Sequence, residues 1–238
     1  GTTLTEQILS AHPNITPGGE SPAMPDAAGS LASATGGINR FPRQISRATL
    51  SQVQEAAAVY CDRIVGHAGQ GDCVVDKLPM NYLNLGIASM ILPNARVLHI
   101  VRNPLDTAIS CYSNSFASQM SFTADLEHLG HAIVQQRRIM KHWAAVVDLP
   151  ILEVRYESLA ASPESTLREV VNFLDLPWSD DLLRFHESKR VAATPSMDQV
   201  REPINTSAVD RASAFQDHLS PLRAALGLQE ATPPPNSL

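Results

Sequence analysis

The chain has 238 residues, 44% of them apolar and 18% charged, with a formal net charge of -6. This is globular composition with enough length for one α/β domain and its core, and it excludes a disordered chain. The acidic balance argues against nucleic acid as a partner, although a local basic pocket for an anion does not depend on the total charge. Three cysteines, Cys61, Cys73 and Cys111, leave one unpaired and show no metal spacing, so the expected setting is reducing and cytoplasmic. No apolar run approaches the roughly 18 residues of a membrane span.

Residues 2–11 predict a helix with Leu4, Ile8 and Leu9 as its apolar stripe, stopped at His12-Pro13-Asn14. Residues 16–46, rich in Gly, Pro, Ser and Ala with weak periodicity, predict a long, partly ordered surface segment. A second helix is expected over about 49–66, with Leu50, Val53, Ala57, Tyr60 and Ile64 on one face. Three short apolar runs predict buried strands: Cys73-Val74-Val75, Val97 to Val101, and Ile151 to Val154. Helical patterns over about 80–91, 104–114 and 123–147 separate them. Strands alternating with helices imply parallel βαβ units with both sheet faces covered. Ser162-Pro163-Glu164 opens a further helix by hydroxyl cap, N1 proline and first-turn acid. The domain is expected to end near 228, followed by a disordered proline-rich tail over 229–238.

Gly1-Thr2-Thr3-Leu4 places a helix N-terminus at the start of the chain, and unpaired N–H groups there suit a phosphate. Thr is also an ordinary helix cap. A nucleoside triphosphatase loop would carry Gly-Lys-Ser/Thr at this place, and there is no lysine. A second anion site is expected where the strand ending at Val101 turns through Arg102-Asn103-Pro104 into a helix carrying Ser110. Ligands in open α/β sheets bind outside the carboxyl ends of strands, and an arginine there can fork onto a phosphate. The competing reading pairs Arg102 with Asp106 on the surface. His99 inside its strand and Trp143 on its helix face read as core residues, and His12 as part of a helix stop.

Taken together, GTTLTEQILSAHP, GGE, VDKLP, VLHIVRNPLDTAISCY, LEVRYESL, VNFLDLPW, TPSMDQVREP and DHLSPL resemble the sulfotransferases that use 3′-phosphoadenosine-5′-phosphosulfate (PAPS). The nearest likeness is to the bacterial branch associated with tetratricopeptide repeats, similar in turn to tyrosylprotein sulfotransferases. The resemblance implies a three-layer P-loop-type α/β fold with a parallel central sheet. It also implies a strand and a Pro-Arg-Ser lead-in ahead of Gly1, and an upstream repeat domain. It assigns Glu20 as general base, and Lys77 and Ser196 to the transferring and leaving groups. Gly1, Thr2, Thr3 and Leu4 would cradle the 5′-phosphosulfate, while Arg102, Ser110 and Arg211 would hold the 3′-phosphate. Asn205 stands where the family carries an aromatic residue, and Ala212 where it carries tryptophan. The implied acceptor is a hydroxyl of a protein tyrosine, a carbohydrate or a small molecule, and no metal is implied. Two other readings stay open: a nucleotide kinase or hydrolase of related fold, and a non-catalytic nucleotide-binding relative.

Overall fold

The structure, a computed structural model, describes residues 1–37, 39, 41–65, 73–114, 118–187 and 202–228. The expected helices and strands occur in order, joined by two elements that were not expected, β1 and α2: helix α1 (Thr2–Ser10), strand β1 (Ile15–Pro17), α2 (Ala23–Ala34), α3 (Leu50–Val65), β2 (Cys73–Val75), α4 (Leu85–Ile91), β3 (Val97–Val101), α5 (Pro104–Tyr112) and α6 (Leu126–Val146). Strand β4 (Ile151–Arg155), α7 (Tyr156–Ala161), α8 (Pro163–Phe173) and α9 (Ser220–Ala225) complete the described chain. No described helix is long and apolar enough to cross a membrane.

The strands pair in parallel, as the βαβ pattern requires, but as two separate pairs among the described residues. β1 lies beside β2 with Ile15 opposite Cys73, and β3 lies beside β4 with Val97 opposite Ile151. Alternation along β3 and β4 splits their side chains between two helical layers. Val97 and Ile151 join a core built from α2, α3, α4 and α6, whereas Leu98, Ile100, Leu152 and Val154 join Ile8, Leu9, Leu167 and Val170 of α1 and α8. This is the mixed α/β architecture expected, with helices on both faces of the parallel strands.

The segment over 16–46 departs from expectation. Its middle is α2, a 12-residue helix that buries Ala23, Met24, Ala27, Ala28, Leu31 and Ala32 against α3. Alanine is the strongest helix former, and Pro25 falls in the first turn, where no N–H is needed. Helix α8 forms as expected and buries Leu167, Val170 and Val171, but the Ser162 hydroxyl does not cap it. The Ser162 carbonyl instead accepts from Thr166 N at 3.2 Å.

Two local devices fix the ends that matter for the site. His12 is fully buried; its Nδ1 accepts from Asn14 N at 3.1 Å, so Nε2 carries the proton and donates to the Pro177 carbonyl at 2.8 Å. That pins the C-terminal end of α1 to the chain after α8. At the start of α5, the Asn103 side chain accepts from Leu105 N and Asp106 N, with Pro104 at the first helical position.

Candidate functional site

Both strand pairs leave the sheet at the same kind of end, and each places a cation there. At the β1–β2 end, Gly18 N donates to the Val75 carbonyl at 2.8 Å, and Lys77 N donates to the Gly19 carbonyl at 3.1 Å. A Cβ on Gly18 would sit 2.8 Å from Val75 O, and Gly19 has φ +64, so each glycine is required for its own reason. The stitched loop delivers Glu20 beside Lys77, with Nζ 2.5 Å from Glu20 Oε1. Asp76, next to Lys77, accepts from Tyr60 Oη and Asn81 Nδ2, each at 3.1 Å. Burial raises the Asp76 carboxyl above its ordinary range, and those two hydrogen bonds pull it partly back. Burial and the Asp76 charge push the Tyr60 hydroxyl up in turn, so it stays protonated and donates.

At the β3–β4 end, Arg102 follows Val101 and lies 4.5 Å from the centre of the Tyr156 ring, a cation–π contact from the residue that follows β4. Its Nη2 donates to the Ala208 carbonyl, while its buried Nε has no hydrogen-bond partner among the described residues. Arg102 does not pair with Asp106. That carboxylate is buried and accepts from Asp210 N at 2.7 Å and Ala212 N at 2.8 Å, clamping the C-terminal segment beside the site. The i,i+4 spacing offered a surface pair, but backbone N–H groups from a distant segment satisfy the carboxylate instead.

One cleft of about 1290 Å³ joins the two ends, and Gly1, Thr2, Thr3, Glu20, Arg102 and Ser110 all line it. Gly1 lies at their junction, where a Cβ would meet Tyr156 Cδ2 at 2.9 Å and Ile100 Cγ2 at 3.0 Å. Three other expected site residues lie elsewhere. Lys77 is buried behind Glu20, Leu4 packs into the α1–α8 core, and Arg211 opens a 3-10 turn beside the cleft, its charge felt at Tyr156. Ser196 lies outside the described residues. Of the two departures from the family pattern, Asn205 Oδ1 accepts from Ser207 N at 3.0 Å in a local turn. Ala212 is buried against α5 and α6, where its backbone rests on Asp106.

His99, read as a core residue, lines the cleft instead, although it is hydrogen-bonded as expected. Its Nε2 accepts from Gln136 Nε2 at 3.1 Å, and its Nδ1 lies 4.0 Å from Glu153. Burial lowers its pKa below the ordinary 6.5, with the Glu153 charge opposing. Trp143 packs as expected and donates to the Tyr82 carbonyl at 2.7 Å. Sequence reasoning missed Glu6, Asp106 and Tyr156. Glu6 lies 3.5 Å from the Lys77 ammonium, yet as a single acid in a short helix it carries no sequence signal. Tyr156 follows β4 as Arg102 follows β3, and that placement was available to the eye.

The two parallel strand pairs thus end at one cleft, which holds the Arg102 guanidinium and the Glu20 carboxylate. Comparison with known proteins is more specific: the Sulfotransferase family profile matches residues 1–180. An uncharacterized protein of Aquifex aeolicus is 36% identical over 93% of this chain, which spans 30% of that protein's length. Protein-tyrosine sulfotransferase A of Caenorhabditis elegans is 25% identical over 99% of this chain, which spans 66% of that protein. Among solved structures, the sulfotransferase domain of the Synechococcus PCC 7002 olefin synthase superposes with a TM-score of 0.59 at 18% identity, covering 90% of this chain and 83% of that one. The sulfotransferase domain of the curacin biosynthetic pathway gives 0.57 at 13% identity, covering 97% and 95%. Those two likenesses are of fold. The chain belongs to the sulfotransferase family, a family of enzymes.

Proposed function

We propose that this chain transfers a sulfuryl group from PAPS to an acceptor hydroxyl, with Glu20 as general base. The observation that carries this reading is the buried Nε of Arg102, which has no hydrogen-bond partner among the described residues and belongs to a cleft that also holds Ser110, Thr2, Thr3 and Glu20. A buried donor of a charged group left unpaired is costly, and an anionic ligand would relieve that cost. The residues therefore fit a doubly anionic nucleotide. Arg102 and Ser110 would hold its 3′-phosphate, with Arg211 adding charge from the side. Gly1, Thr2 and Thr3, with the backbone of Leu4, would hold the 5′ end at the N-terminus of α1.

The donor supplies an already activated sulfuryl group, so the protein's own work is positioning and charge compensation. Glu20 would accept the acceptor hydroxyl proton as the new S–O bond forms. Lys77, and Ser196 beyond the described residues, would offset the charge left on the 5′-phosphate oxygen as the old S–O bond breaks. The acceptor is a protein tyrosine, a carbohydrate or a small-molecule hydroxyl, and the nematode relative's name favours the first.

The test is thermal unfolding with adenosine 3′,5′-bisphosphate and with AMP. At about 100 times its dissociation constant, a ligand that binds only the folded state adds roughly 2.7 kcal/mol. The bisphosphate is expected to give that shift, and AMP far less at the same concentration. Equal shifts would remove the role given to Arg102 and Ser110.

A further inference from the structure

Glu6 lies on α1 with its side chain fully buried at 0% exposure, against 7% for Lys77 and 40% for Glu20. The Lys77 ammonium lies 2.5 Å from Glu20 and 3.5 Å from Glu6, and the Gly19 backbone is the other polar group that steadies the Glu6 carboxylate. A buried carboxylate in that condition is stable only beside a cation. Burial raises the Glu6 carboxyl above its ordinary range, while Lys77 pulls it back and Glu20 pushes it further. The 3-10 turns packed on α1 also bring Asp180, Asp181, His186 and Glu187, but the largest influences on Glu6 after burial are Lys77, the Gly19 backbone and Glu20.

The geometry sets a conflict. Glu20 lines the cleft but Lys77 does not, so the ammonium is held behind the wall, divided between two carboxylates. In that state the Glu20 carboxylate is engaged by the ammonium and not by an acceptor hydroxyl. We propose that Glu6 is a positioning residue: a buried counter-charge that holds the Lys77 ammonium back against Glu20 and yields it to an anionic donor entering the cleft. This rests on the donor reading above. The donor's 5′-phosphate competes with Glu6 and Glu20 for one ammonium, and its success frees the Glu20 carboxylate. The base is thereby unmasked only when a donor is present, and donor affinity is held below what Lys77 could give. Glu6 touches no reacting atom and acts through Lys77.

The test reads Lys77 without ligand and then reads the nucleotide. The chain has three lysines, so selective side-chain 15N labelling resolves the Lys77 ammonium, assigned by Lys77→Arg. In the ligand-free protein, Glu6→Gln is expected to move the Lys77 nitrogen resonance and speed its proton exchange, while Glu6→Asp, which keeps the charge, restores slow exchange. Adenosine 3′,5′-bisphosphate is then expected to bind Glu6→Gln roughly three- to tenfold more tightly than wild type, in the lower part of the range of coupling between contacting groups. Glu6→Asp is expected to stay near wild type, and the gain to vanish in a Lys77→Ala background. A merely structural Glu6 would loosen binding, not tighten it. An unmoved Lys77 signal in folded Glu6→Gln overturns the holding role, whatever the nucleotide does. A moved signal with unchanged or weaker bisphosphate binding overturns the release. A moved signal in a protein that binds no bisphosphate in any form overturns the donor reading and, with it, the release, but not the Glu6–Lys77 coupling.

Discussion

The two strand pairs end alike and are finished differently. At the β1–β2 end, the cation is fully engaged: Lys77 has Glu20 at 2.5 Å and Glu6 at 3.5 Å, and the loop carrying Glu20 is hydrogen-bonded to the strand beside it. At the β3–β4 end, the cation is only partly engaged among the described residues, since Arg102 has a carbonyl and an aromatic face but a buried Nε without a hydrogen-bond partner there. A parallel sheet offers equivalent positions at the carboxyl ends of its strands, and the residues placed there decide their use. The end with unspent donors suits holding an anion. The end that is internally neutralised suits chemistry that begins when its ion pair is disturbed.

The contrast can be broken one side at a time. The largest effect is expected from Glu20→Gln, which keeps the side chain's size but cannot accept the proton. Positioned base catalysis contributes about 10² to 10⁴ in rate, so transfer is expected to fall by that order while bisphosphate affinity stays near wild type. Retained turnover would move the base elsewhere. On the other side, Arg102→Ala removes charged hydrogen bonds of about 1.5–3 kcal/mol, or roughly ten- to a hundredfold in the bisphosphate dissociation constant. Calorimetric titration is expected to show AMP binding nearly unaffected, and a parallel loss for both nucleotides would contradict the assignment to the 3′-phosphate.

A smaller effect is expected at Gly18. In Gly18→Ala the new methyl meets a backbone oxygen at 2.8 Å that cannot rotate away. Overpacking of this kind costs about 1–3 kcal/mol, which is several degrees in Tm for a domain of this size. Transfer is expected to slow as well because the Glu20 loop shifts, and an unchanged Tm would show that the loop yields freely.

The smallest effect is a pH dependence. Burial raises the Glu6 carboxyl above its ordinary value of 4.5, so over a window just above that pH the native state keeps a proton that the unfolded chain has lost. Its contribution to stability is complete below about 4.5 and is lost as pH rises through the raised value. Glu6→Gln does not titrate, so the variant is expected to gain on wild type between pH 4 and neutrality in denaturant midpoints. A constant difference would contradict the raised carboxyl.

Much of this was legible in the sequence, for physical reasons that differ by element. β2, β3 and β4 announce themselves as short β-branched runs, and α8 by its i, i+3, i+4 stripe, because burial demands those patterns. β1 spans only Ile15–Pro17 and is recognisable only through its pairing with β2. α2 hid because Ala, Gly, Ser and Pro make turn composition as well as a close-packed helix. Glu20 and Arg102 were legible from their motifs and, for Arg102, from its place after a strand. Glu6 was not, because the stripe of Leu4, Ile8 and Leu9 gave α1 one buried face, whereas the fold also buries Thr5, Glu6, Gln7 and Ser10. Asp106 misled in the opposite direction, since its partners at 210 and 212 are more than a hundred residues away.

The central claim, that the cleft moves a sulfuryl group and not a phosphoryl group, is tested most directly by supplying both donors to the full protein. Sulfur-labelled PAPS and ATP would be offered with a panel of tyrosine peptides, sugars and phenols, once with magnesium and once with a chelator. The expected result is label on a hydroxyl acceptor in both conditions, dependent on Glu20, with no phosphate transferred or released from ATP. Phosphate release or transfer that requires magnesium, with no sulfur label on any acceptor, would contradict it.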